Sequence, residues 1–134
     1  MNRILLSAAL LAAFTAALHT FVGTGKIEGP LLQSALPKEL SLLLYACWHL
    51  VSVTLTLSAL AFFLAARAAG SAQALHTVKL LSAMWLCFGL VFIAVALLYT
   101  GFPMLLKLPQ WVLLMPVGIL GFWGAAQSNQ GVLS

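Results

Sequence analysis

Four apolar stretches, each about as long as a bilayer is thick, take up most of this chain. A helix needs about 20 mostly apolar residues to cross a ~30 Å hydrocarbon core. The first stretch runs from Ile4 to Val22 behind the basic start Met1-Asn2-Arg3, and the second from Leu40 to Ala66, where Arg67 stops it. The third runs from Val78 to Phe102 and the fourth from Trp111 to Ala126. Helices are expected over residues 4–22, 40–67, 78–101 and 110–126, with 23–38 as a loop lying in the interface or folding back over the helix ends.

Composition narrows the class. Hydrophobic residues make up 63% of the chain and charged residues 6%, against about 25% charged in a soluble domain. Six basic and two acidic side chains cannot cover a water-facing surface, which excludes a soluble enzyme or a nucleic-acid binder. Disorder is excluded as well, because it requires low hydrophobicity and high charge. The expected fold is therefore all-α, a single-domain integral membrane protein built as a four-transmembrane-helix bundle. Its expected partners are the lipid bilayer, a second copy of itself or other membrane proteins, with no nucleic acid.

The first stretch has the basic start and alanine-rich run of a secretory signal peptide, but no A-x-A cleavage site follows it, so it is read as a helix. Ala8, Ala12 and Ala16 repeat every four residues, as do Ala9, Ala13 and Ala17, an interval that lets helices approach closely in lipid. Gly118, Gly121 and Ala125 suggest the same for the fourth helix. Lys and Arg divide three to each side of the membrane (Arg3, Arg67 and Lys79 against Lys26, Lys38 and Lys107), so they do not orient the chain. The basic start, and both glutamates (Glu28 and Glu39) near the first connection, favour a cytoplasmic N-terminus in a plasma or inner membrane. Cys47 and Cys87 stand in apolar surroundings without CxxC spacing and read as buried small hydrophobes.

Depth and periodicity then bring polar residues to one end. At 1.5 Å per residue, counting from Arg3 places His19 roughly 6 Å inside the outer boundary, and counting from Arg67 places His49 about 3 Å inside it. His49 shares a helix face with Tyr45, Ser52 and Thr56, a stripe that would be costly to aim at lipid. The expected ligand-binding set is His19, His49, Tyr45, Ser52, Gln110 and Glu28. Trp48, Tyr99 and Trp111 read as interface aromatics.

Several functions follow from that set. Two imidazoles are ligands for a metal or a haem iron, with Glu28 or Glu39 completing a zinc site, and His19 and His49 are the metal candidates. A metal-free pocket for a small molecule or a lipid head group uses the same residues. An interfacial enzyme would employ histidine as general base, although GxSxG is absent and Cys47 and His49, two positions and about 200° apart on a helix, diverge. Transport lacks an intramembrane carboxylate. An accessory or structural subunit of a larger complex needs only the small-residue faces. Binding through His19 and His49 is the leading expectation.

Overall fold

The computed structural model describes residues 1–68 and 71–133, with side chains to Ser128. Among these residues the chain is helical and has no strand. The helices are α1 (Arg3–Ala17), α2 (Thr24–Leu32), α3 (Lys38–Arg67), α4 (Ala72–Tyr99), α5 (Pro103–Lys107) and α6 (Trp111–Leu133). A π turn over Leu18–Gly23 joins α1 to α2 without a break. The result is four helices long and apolar enough to cross a membrane: Arg3–Leu32, Lys38–Arg67, Ala72–Tyr99 and the Trp111–Ser128 part of α6.

The expected loop over 23–38 is thus corrected to the short turn 33–37. Its glycines and Pro30 suggest irregular backbone, yet residues 24–32 remain helical because they lie against α3. Pro30 falls in the last turn of α2, where its missing N–H removes one bond of the helical ladder. Ser34 Oγ donates to Leu31 O (2.7 Å) and meets Ser41 Oγ (3.4 Å), which closes the hairpin tip. The third helix starts at Ala72 rather than residue 78, capped by the Ser71 hydroxyl on the Ala74 N–H. Hydropathy marks where lipid begins, and a capped helix extends past that point.

The first and second long helices form one close pair, and α4 and α6 form the other. The pairs join along α1 and α6. Asn2 fastens this junction at the end where both termini lie. Its Oδ1 accepts from the N–H groups of Ile4 and Leu5, its Nδ2 donates to Gly124 O (2.8 Å) and Ser128 Oγ (2.7 Å), and its backbone N–H donates to Ala66 O (2.9 Å). The N-cap of one helix therefore ties three helix ends together.

Small residues set the spacing. Ala8, Ala12 and Ala16 are all buried, whereas in the second alanine row only Ala9 is buried and Ala13 and Ala17 stay exposed. Along α6, Gly118 faces Leu86 and the Ser82 carbonyl, Gly121 faces Ser82 Oγ and Phe62, and Gly124 faces Leu5. The centre is filled by Phe62 and Trp85, both 0% exposed. Trp85 Nε1 donates to Ser58 Oγ (3.0 Å), a polar link between α4 and α3, whose contact is the sparsest of the four neighbouring helix pairs. Cys47 and Cys87 are exposed, not buried: each points away from the packed faces of its helix.

Candidate functional site

The π turn carries His19 and ends at Gly23, opposite the third turn of α3. Such turns are rare inside helices and recur at functional sites. Trp48 of α3 docks on this turn. Its indole stacks on the His19 imidazole with ring centroids 3.9 Å apart and planes 20° from parallel. Its Nε1 donates to Thr24 Oγ1 (2.9 Å). A Cβ on Gly23 would come within 2.7 Å of Trp48 Cζ2, so the indole requires glycine there. Trp48 is therefore a clamp between the first two long helices rather than a simple interface aromatic.

His19 Nε2 lies 3.2 Å from the Trp48 carbonyl oxygen. A carbonyl only accepts, so Nε2 carries the proton and donates, which leaves Nδ1 as the acceptor of the neutral ring. Ser52 Oγ donates to the same carbonyl (3.3 Å), and Ser52 is buried. His49 is half-buried, with its ring edge-on to Tyr45 at 4.6 Å between centroids. His19 is stacked on Trp48 and not on His49. Glu28 of α2 stands beside Tyr45 within interaction range. Among the described residues, His49 makes no side-chain hydrogen bond to protein.

Five of the six expected residues, His19, Tyr45, His49, Ser52 and Glu28, thus lie on the hairpin formed by the first two long helices. Among the described residues no side-chain hydrogen bond joins Gln110 to them. It is exposed in the turn before α6, whose packing partners are α4 and α1, and its carbonyl accepts from Leu113 and Leu114. Trp111 holds its own connection through Nε1 to Leu105 O (3.1 Å), and Tyr99 is 81% exposed, as an interface aromatic would be. For a metal, the site offers two imidazoles, one already donating from Nε2. Among the described residues no group of three His, Cys, Asp or Glu is placed to hold an ion.

Sequence reading missed Trp48, Gly23 and Thr24 as parts of this site. The four-residue offset from Trp48 to Ser52, and the glycine one turn past His19, were the signals available. No protein-family model, no curated protein and no solved structure matches the chain.

Proposed function

We propose that this chain is an integral membrane protein whose hairpin end binds the polar head of a small amphiphile. The observation that carries the reading is the His49 imidazole, half-buried and edge-on to Tyr45 with no hydrogen bond to protein among the described residues. A free imidazole supplies one donor and one acceptor. The Tyr45 hydroxyl adds a second group of both kinds, and Glu28 adds an acceptor. A carboxylate at this point repels phosphate and favours a head that donates hydrogen bonds, such as a glycerol hydroxyl. The Trp48–His19 stack forms a rigid support behind it, of the kind that positioned binding groups need.

In this reading the termini end is cytoplasmic and the hairpin end faces outward, at head-group depth. The basic start at the termini end and both glutamates at the other support that orientation, while the Lys and Arg count, three to each side, does not decide it.

Titration of the purified full chain in detergent with a monoacylglycerol, followed by tryptophan fluorescence, tests the proposal. Binding is expected to exceed that of lysophosphatidic acid of the same chain length. His49→Ala should weaken it about tenfold, in line with the ~1–3 kcal/mol lost when a buried hydrogen-bond partner is removed. Equal binding by wild type and His49→Ala would defeat the proposal.

A further inference from the structure

Asn2 does more than cap α1: it brings two arginines to one side of the bundle. Its backbone N–H donates to Ala66 O (2.9 Å), so Arg3 starts α1 beside the last turn of α3, which ends at Arg67. Helical spacing says which way each points. Arg3 lies two turns before Leu10, short of full register by only about 20°, and so shares its face. Arg67 lies one turn past Phe63, with its Cζ 6.0 Å from the centre of that ring. Leu10 and Phe63 line the same groove between the first two long helices. Both arginines are exposed and stand at the termini end of that one side. We infer that Arg3 and Arg67 clamp the head-group phosphate of an anionic phospholipid, at the membrane surface opposite His49.

Charge complementarity names the partner. The only acidic side chains of the chain, Glu28 and Glu39, lie in α2 and the first turn of α3, at the hairpin end. Along the axis of α3, Glu39 is about 42 Å from Arg67, several times the Debye length of about 8 Å at physiological salt. Two like charges therefore converge with no carboxylate side chain to answer them.

The side chains suit phosphate at this depth. A guanidinium is a planar fork that takes two phosphate oxygens through parallel hydrogen bonds. Arginine stems near helix ends lie along apolar surface and carry the charge to the head-group layer, as Arg67 does over Phe63. The residues next inward, Leu10 and Phe63, are exposed and apolar. An anion held between the arginines thus stands directly above hydrocarbon-facing surface, the place of a phosphate that continues into acyl chains.

The test uses the purified full chain in mild detergent, with phosphatidylglycerol and phosphatidylcholine of the same acyl chains, bound lipid being counted by native mass spectrometry. Wild type is expected to prefer phosphatidylglycerol about thirtyfold, from two basic groups worth about fivefold each. Arg3→Gln and Arg67→Gln should each remove about fivefold of that preference. Lys26→Gln with Lys38→Gln removes two charges from the hairpin end and should leave the preference unchanged. Arg3→Lys with Arg67→Lys keeps every charge and should still lose about fivefold, because lysine lacks the fork. This variant also reads the clamp if a glutamine variant fails to fold. Excess inorganic phosphate should not displace the lipid.

Equal binding of the two lipids by wild type, or an undiminished preference in the lysine double variant, would overturn the inference. So would an equal loss from the Lys26 and Lys38 changes, the mark of diffuse charge attraction. Displacement by inorganic phosphate would overturn it too, because the arginines would then hold a soluble anion.

Discussion

Gly23 and Gly25 stand two residues apart on the same helical run, and their surroundings predict opposite effects of one methyl group. A Cβ at Gly23 meets the Trp48 ring, which is held on its other side by the bond to Thr24, whereas a Cβ at Gly25 meets nothing within 4 Å. Gly23→Ala is expected to destabilise by about 1–3 kcal/mol, the usual cost of overpacking. Gly25→Ala should stabilise by about 0.5–1 kcal/mol, because alanine gives up less backbone freedom in a helix. Thermal unfolding of both variants in the same detergent checks the pair, and a like-signed shift would contradict the clamp. At this scale the sequence was informative about polarity and silent about stacking. That His49, Tyr45 and Ser52 share a face follows from helical spacing, and the His49 and Tyr45 rings do meet. That Trp48 would take the His19 ring onto its own face depends on how two helices turn about their axes, which spacing along one chain cannot express. For Gln110 the sequence offers depth alone, and depth says nothing about which neighbour a helix has.

Among the elements, α6 is the one whose packing is least tolerant. Gly118 sits against a backbone carbonyl, that of Ser82, as well as Leu86, so an added methyl has no flexible neighbour to displace on that side. Gly118→Ala should lower the unfolding midpoint more than Ala126→Leu, which adds a far larger side chain at an exposed position. A comparison of the two by heat or denaturing detergent tests this, and equal effects would show that α4 and α6 do not meet along the glycine row. The small-residue pattern was legible for Gly118, Gly121 and Ala125, but Gly124 and Asn2 were not singled out. Only the apposition of α1 and α6 gives Gly124 its neighbour Leu5 and gives Asn2 its acceptors. The alanine rows carried equal signals in the sequence, and one is packed while the other is open. Two rows on one helix cannot both face the same neighbour, and the choice between them is made by the partner helices.

For the whole molecule, the long helical hairpin of residues 3–67 carries His49 and Tyr45, where head-group binding is proposed, at its far end and an apolar groove along its side. The α4–α6 pair braces it through Asn2 at the termini end and the Trp85–Ser58 bond in the core. Four apolar helices were plain from composition and length, because the lack of charge leaves so few alternatives. The continuous helix through residues 24–32 was not, since its glycines and proline outweigh helical periodicity until α3 is beside it. The proposed function requires this bundle to retain an amphiphile by the His49 end. Native mass spectrometry of the full chain, released from mild detergent after purification from its membrane, tests it most directly. A mass increment of one amphiphile is expected on the wild-type chain, and its loss in His49→Ala. A bare chain in both spectra, or the same increment in both, would contradict it.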